Sequence, residues 1–401
     1  MPSPILADSA TANRSRDRRD ARHALRRFLW QHSSNTRVQG CGLCTPGNDV
    51  NIRVGRSGNR LVAGASGLIT CSSVWACPVC SAKISTERST EVADAIRRWN
   101  AAGGRVLFAT FTLRHDSSQD LSTVWDGLAD SWRHFLGGKG WKDLQNKFSL
   151  DGWIRAVEVT HGSNGWHVHA HTAIFLRGTD VNDGFLDRLS DALYHRWDLA
   201  TSSNGFSTSR DAFDCRDTYS DSGLARYLVK SSNAYKPARE LTQGTAKIAR
   251  NNSRTPFAIL SDLSQTNSNE CRCSVSLNSD GSVRYRKTCD ACLWRHWEKH
   301  SHGRRQISFS RGLRDLIGTL DLPETTDSDE ILTDSMSVFM IDPHSWRRMS
   351  YEATNLRLYR LLEQKLLPEA LALLTEHQVS YRPGPDYMAY VSTPAQPALF
   401  A

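Results

Sequence analysis

Between Trp166 and Leu176 the chain reads Trp-His-Val-His-Ala-His-Thr-Ala-Ile-Phe-Leu, with histidine at 167, 169 and 171. Side chains on a strand alternate between faces and a helix has no two-residue repeat, so this spacing predicts a strand with three imidazoles on one face. Trp153 to Thr160 also reads as a strand, and His161-Gly162-Ser163-Asn164-Gly165 is turn material. A hairpin closing on Gly162 and Gly165 sets Glu158 directly opposite His169. Paired antiparallel residues share a face at roughly 5 Å, so one carboxylate and up to three imidazoles converge. Nitrogen and oxygen donors in that mixture suit a divalent metal with open positions. The plainer alternative, polar residues on a solvated sheet face, leaves the matched carboxylate unexplained.

A chain of 401 residues has room for two or three domains. Its formal charge of +8 and pI near 9.0 favour a polyanionic partner. No apolar run approaches the roughly 20 residues of a membrane span, and the Arg-rich N-terminus lacks the apolar centre of a secretion signal. A cytoplasmic protein is the default expectation.

Nine of the ten cysteines fall into two local groups, a pattern that in a reducing compartment indicates metal ligands before disulfides. Cys41-Gly42-Leu43-Cys44 and Cys77-Pro78-Val79-Cys80 are Cys-x-x-Cys knuckles, and each such turn aims two sulfurs at one tetrahedral Zn²⁺. Cys41, Cys44, Cys77 and Cys80 are the expected ligands, with Cys71 as a possible replacement for one of them. A second group, Cys271, Cys273, Cys289 and Cys292, flanks the turn sequence Asn278-Ser279-Asp280-Gly281 and reads as a small zinc ribbon. Cys215 stands alone and reads as core.

The rest of the periodicity gives a helix from Ser81 to about Asn100 and a strand from Arg105 to His115 with Thr110 and Thr112 on one face. Further helices run through Leu121 to Phe135 and Phe185 to Trp197. The predicted class is α+β, a central antiparallel sheet flanked by helices. The expected organisation is a poorly ordered basic arm over 1–37, a zinc-binding segment over 38–82 and a catalytic domain over 83–265. An inserted zinc ribbon and basic segment over 266–320 follow, then an acidic linker from Pro323 to Glu330, a small C-terminal module over 331–401 and a loose tail beyond about 382. The arm ends in a short helix near Trp30 and offers arginines to phosphates. Asp221 to Ser231 reads as another helix, with Tyr227 and Lys230 three apart on one face. Arg304, Arg305, Arg311 and Arg314 lie in a basic segment with interleaved aromatics, suited to nucleic acid.

A strand with Thr110 and Thr112, then His167-Val168-His169-Ala170-His171, then Tyr227 with Lys230, resembles the three ordered motifs of rolling-circle replication initiators in the HUH (His, hydrophobe, His) endonuclease superfamily. Plasmid Rep proteins of high-GC Gram-positive bacteria are the nearest likeness, with a cysteine segment like 71–80 before the domain and a Gly-Arg-Arg, Ser-Arg-Gly-Leu-Arg segment like 303–314 after it. The resemblance covers about residues 40 to 320. It implies an HUH endonuclease fold and a metal-dependent nickase acting on single-stranded or cruciform origin DNA, with host helicase and polymerase as partners. Tyr227 is then the nucleophile, Lys230 its positioning cation, and His169 and His171 the metal ligands, with His167 and Glu158 as further candidates. The family's ion is Mg²⁺ or Mn²⁺. Where related initiators with a single tyrosine carry a glutamate four residues before it, this chain has Gly223, and Asp221 is the nearby carboxylate.

The product implied is a 5′-phosphotyrosyl link and a free 3′-OH. A phenol with a pKa of about 10 is ionised only about once in a thousand at pH 7, so a neighbouring cation is required. Competing expectations are a transposase or relaxase of the same superfamily, a non-catalytic zinc-dependent DNA-binding regulator, and a three-histidine metal oxidase. The last leaves the charge and the cysteines unused.

Overall fold

The computed structural model describes residues 4–393 apart from 44, 179–181, 218–252, 267–269, 272, 274, 278–282, 286–288, 319–325 and 328–331. Two antiparallel sheets organise it. In chain order the first elements are α1 (Pro4–His32), α2 (Thr36–Gln39), β1 (Val50–Ser57), β2 (Arg60–Ser66), α3 (Pro78–Ala101) and β3 (Arg105–Thr112). They are followed by α4 (Leu121–Phe135), α5 (Gly138–Phe148), β4 (Leu150–Gly162), β5 (Gly165–Leu176), α6 (Asp183–Ser202) and β6 (Asp214–Asp217). Next come α7 (Pro256–Gln265), β7 (Val275–Leu277), β8 (Val283–Tyr285), α8 (Asp290–Ser301), β9 (Ile307–Phe309) and α9 (Leu313–Ile317). The chain ends with β10 (Thr333–Ile341), α10 (Pro343–Glu352), α11 (Thr354–Glu363), α12 (Leu367–Glu376), β11 (Tyr381–Pro383) and α13 (Tyr387–Ser392).

The larger sheet has the order β6-β3-β5-β4-β9. Its first face carries Leu107, Phe111, Val157, Val168 and Ile174 and is covered by α4 and α6. Phe111 packs edge-on against Trp132, Phe135, Trp197 and Phe213. On the opposite face, Val92, Ala95 and Trp99 of α3 cover only Val106, Phe108, Ile154, Ala173 and Phe175. The apolar residues of that face stop at Ala173, so the part of β5 that carries the histidines is left without an apolar cover.

The smaller sheet, β11-β10-β1-β2, is discontinuous in sequence. Its apolar face, with Val50, Ile52, Val54, Val338, Phe339 and Ile341, packs on Trp346, Met349, Leu358, Tyr359 and Leu362. The C-terminal module therefore includes residues 50–66, which the sequence pattern assigns to the zinc segment. A Gly58-Asn59 turn with Ser57 opposite Arg60 closes the β1–β2 hairpin, and Gly58 takes φ +60. The expected loose tail is ordered as far as α13, where Tyr390 is buried and its hydroxyl donates to the Leu362 carbonyl at 2.7 Å.

The N-terminal arm is also corrected: it is a 29-residue helix, about 43 Å long at 1.5 Å per residue. Leu25 and Leu29 enter the main core, while Arg16 and Arg19 reach Glu363 of α11 at 2.8 and 2.5 Å. Arg19, Arg22, His23 and Arg26 are buried, so these four serve packing between the two sheets instead of lying open to phosphates. Of the expected linker, 326 and 327 are the described residues. Thr326 and Asp327 are buried, with Asp327 accepting from Ala65 N at 2.7 Å and from the Tyr359 hydroxyl at 3.2 Å.

These buried charges predict two behaviours. Glu363→Ala leaves buried Arg19 with the partly exposed Asp20 in place of its buried carboxylate and is expected to cost about 3 kcal/mol in denaturant unfolding. Burial holds His23 well below its usual pKa and brings His161 down to about 4. Both stay neutral in the fold while the unfolded chain takes up protons below about pH 6.5, so stability is full above that pH. It is expected to fall as pH drops from about 6.5 toward 4, read as a declining melting temperature.

Candidate metal centre

The β4–β5 hairpin closes with Gly162 opposite Gly165, and Glu158 lies opposite His169, the register read from the sequence. Glu158 Oε2 stands 3.2 Å from His169 Nε2 and 3.1 Å from His171 Nε2, and the two Nε2 atoms are 3.0 Å apart. Cis ligands of an octahedral ion at about 2.1 Å are separated by about 3.0 Å, whereas a tetrahedron at that bond length opens them to about 3.4 Å. The three edges fit one facial triad with three positions left for substrate or water. Thr110 of β3, paired with His171, has its hydroxyl 3.1 Å from His171 Nδ1. With Nδ1–H donating to Thr110, the Nε2 lone pair is free to face the triad. Phe108 stacks on the same ring at 5.3 Å between centroids.

His167 is on the same face, but the three clustered donor atoms belong to Glu158, His169 and His171. Its Nδ1 instead meets His115 Nε2 at 2.9 Å, and His115 Nδ1 is 3.0 Å from the Asn164 carbonyl. A carbonyl only accepts, so His115 donates through Nδ1, accepts at Nε2 from His167 Nδ1–H, and leaves the His167 Nε2 lone pair unprotonated. Burial, reinforced by His169 and His115, pushes the His167 pKa down to about 3, which keeps that lone pair available. The sequence reading missed His115, which lies three residues beyond β3 with no periodicity to mark it.

Cys41, Cys71, Cys77 and Cys80 form a buried tetrad. Sulfur separations are 3.7 Å for Cys41–Cys77, 3.5 Å for Cys41–Cys80 and 3.6 Å for Cys71–Cys80. A ZnS₄ tetrahedron with bonds near 2.3 Å has edges of about 3.8 Å, and a disulfide needs about 2.05 Å, so the spacing fits the ion. Cys71 thus takes a ligand position that the knuckle pattern alone gave to Cys44, which lies outside the described residues. Pro78 at the first position of α3 starts the helix directly after Cys77 and brings Cys80 into its first turn.

Hydrogen bonds from Cys71, Cys77 and Cys80, helped by the Arg26 guanidinium, hold the Cys41 thiol far below its usual pKa. Four thiolates on Zn²⁺ carry a net charge of −2, and fully buried Arg26 supplies a nearby positive charge. Its Nη2 also stands 3.9 Å from Asp327 Oδ2, so one cation serves the tetrad and the C-terminal module. Cys271, Cys273, Cys289 and Cys292 form a second, more exposed tetrad beside the β7–β8 hairpin, with Cys271–Cys292 at 3.3 Å and Cys271–Cys289 at 4.0 Å. Cys215, half-buried on β6, packs at the margin of the main core.

Tyr227, Lys230, Asp221 and Gly223 lie outside the described residues. Of the basic segment, Arg304 pairs with Asp126 at 2.8 Å and Arg314 with Glu91 at 2.8 Å, while Arg305 and Arg311 are exposed. Among the described residues no helix is long and apolar enough to cross a membrane.

If both tetrads hold zinc, denatured protein should release two equivalents to a colorimetric chelator. Cys71→Ser should then release about one and lower the melting temperature sharply, because metal binding free energy is folding free energy here.

Comparison with known proteins finds similarity over these residues. The Rep_1 family, described as replication protein, matches residues 67–185, a span that includes Cys71, Cys77 and Cys80, Thr110, Glu158 and the three histidines. A "Protein rep" of Streptomyces lividans is 27% identical over 323 residues, covering 67% of this chain and 69% of that protein. A "Neomycin resistance protein" of Streptomyces cyanogenus is 31% identical over 147 residues, covering 30% of this chain and 34% of that one. No solved structure matches. The segment that carries the metal triad is thus the part of this chain that is similar to the Rep_1 family of replication proteins.

Proposed function

We propose that this replication protein initiates rolling-circle plasmid replication by nicking one strand of its origin as an HUH-type endonuclease. The convergence of Glu158, His169 and His171 within the family's matched segment is the observation that carries the reading. The donor set and its edges suit Mg²⁺ or Mn²⁺, which when bound would polarise the scissile phosphate. Thr110 holds the His171 ring in the required tautomer, and the His115–Asn164 contact does the same for His167. Lys230 stabilises the phenolate of Tyr227.

The phenolate oxygen attacks phosphorus. An O–P bond forms to Tyr227, the bond to the 3′ oxygen breaks, and that oxygen leaves to take up a proton as a 3′-OH. Because one phosphoester replaces another, the 3′-OH can later reverse the attack and rejoin the strand. A polymerase extends the 3′-OH in the meantime. His169 and Glu158 lie directly across from one another on β5 and β4, so both are fixed by the hairpin's hydrogen bonds before substrate arrives.

Incubation with end-labelled single-stranded origin DNA and Mn²⁺, followed by denaturing electrophoresis and peptide mapping, should give a covalent adduct on Tyr227. Tyr227→Phe should abolish it, and His169→Ala or Glu158→Gln should reduce its rate by at least about 100-fold. Intact nicking by Tyr227→Phe would refute the assignment.

A further inference from the structure

The two cysteine tetrads carry the same donors but differ in access. Cys41, Cys71, Cys77 and Cys80 are each at most 6% exposed, with the Arg26 charge close by. In the second tetrad Cys271 is exposed, and Cys273, Cys289 and Cys292 are half-buried. There Cys271 Sγ stands 3.3 Å from Cys292 Sγ and 4.0 Å from Cys289 Sγ, on either side of the edge of about 3.8 Å in a ZnS₄ tetrahedron. A thiolate reacts with an oxidant only where the oxidant reaches its sulfur. By that criterion the second tetrad is open to a dissolved oxidant and the first is closed.

The open tetrad is fastened to the hairpin that carries the metal triad. Cys289 immediately precedes α8 and Cys292 lies in its first turn, with Asp290 between them. Asp290 Oδ1 accepts from Arg254 Nη2 at 2.6 Å. The Arg254 backbone bridges His161 of β4, donating to its carbonyl at 2.7 Å and accepting from its N–H at 2.8 Å. His161 lies three residues beyond Glu158 and pairs with Trp166 of β5. Its ring meets Trp166 edge-on at 4.8 Å, and Trp166 stacks on Trp297 of α8 at 5.9 Å. Helix α8, whose start carries two of the four sulfurs, is therefore joined to β4 through Arg254 and to β5 through Trp166.

We propose that the exposed tetrad is an oxidation site for peroxide, and that loss of its zinc loosens the turn end of the metal-bearing hairpin. The Cys271 thiolate attacks one peroxide oxygen, forming an S–O bond while the O–O bond breaks and hydroxide leaves. The Cys292 thiolate then attacks the sulfenic sulfur, forming an S–S bond while the S–O bond breaks and a second hydroxide leaves. Two thiolates lose two electrons, and the peroxide gains them. Zn²⁺ keeps Cys273 and Cys289 alone and dissociates, which releases the start of α8 and the anchorage of Asp290. The proposal goes beyond the nicking reading and requires only that the tetrads hold zinc.

Zinc-loaded full-length protein treated with graded hydrogen peroxide tests this in three readouts. A colorimetric chelator should record release of about one equivalent, with a second appearing only on denaturation. Alkylation and mass spectrometry should find a Cys271–Cys292 disulfide while Cys41, Cys71, Cys77 and Cys80 stay reduced. Hydrogen exchange over residues 158–166 should accelerate about 10-fold or more and recover after dithiothreitol and Zn²⁺. Asp290→Ala keeps all eight cysteines and removes the bond to Arg254. It should lose zinc to peroxide as the wild type does, and show the faster exchange before any oxidation.

Release of both equivalents together, or of none, would overturn the oxidation site. A Cys271–Cys292 disulfide with unchanged exchange over 158–166 would overturn the link to the hairpin, as would unaltered exchange in Asp290→Ala. None of these readouts uses DNA. A protein that gives all three responses but forms no Tyr227 adduct would keep this proposal and lose the nicking reading, and a Tyr227 adduct from a protein whose exposed tetrad resists peroxide would do the reverse.

Discussion

The β4–β5 hairpin sets everything else at the metal centre. Its register is fixed at the turn, where Gly165 takes φ +83 and a Cβ would come within 3.0 Å of Ser117 Cα. A side chain there would strain the turn and crowd the loop after β3. Because strand side chains alternate, a slip of one residue would put Glu158 and the histidines on opposite faces. Two glycines therefore hold one carboxylate and two imidazoles within 3.2 Å of each other.

A second arrangement ties the two sheets together. Helix α1 crosses from the cysteine tetrad to α11, and Arg26, His23 and Asp327 lie where these parts meet. Buried charges of this sort contribute little when complete and cost much when one member is lost. They link the cysteine tetrad to the C-terminal module. The module is thereby attached through the same helix that packs beside the tetrad.

Short-range features are legible in the residues themselves. The helices at 78–101, 121–135 and 183–202 follow their apolar spacing, and the Glu158–His169 pairing follows from the turn. The Gly58-Asn59 turn is equally local, flanked by alternating Val50, Ile52, Val54 and Leu61, but its strands find their partner β10 nearly 300 residues later. Composition misleads at the N-terminus. Seven arginines read as a solvated arm because nothing local reveals that Glu363 and Asp327 will meet three of them, Arg16, Arg19 and Arg26.

What the sequence by itself determined is the donor chemistry: histidine at alternate positions, a carboxylate set opposite by a two-glycine turn, cysteines in groups, and a basic excess. What only the tertiary structure decided is which donors share an ion and which charges remain unmatched. Cys71 joins Cys41, Cys77 and Cys80, and His167 turns to His115 while its two neighbours turn to Glu158. Likewise Arg304 and Arg314 meet Asp126 and Glu91, while Arg305 and Arg311 meet no carboxylate among the described residues. Periodicity fixes the face a side chain occupies, but its partner is set by contacts between segments far apart in the chain, which no local pattern encodes.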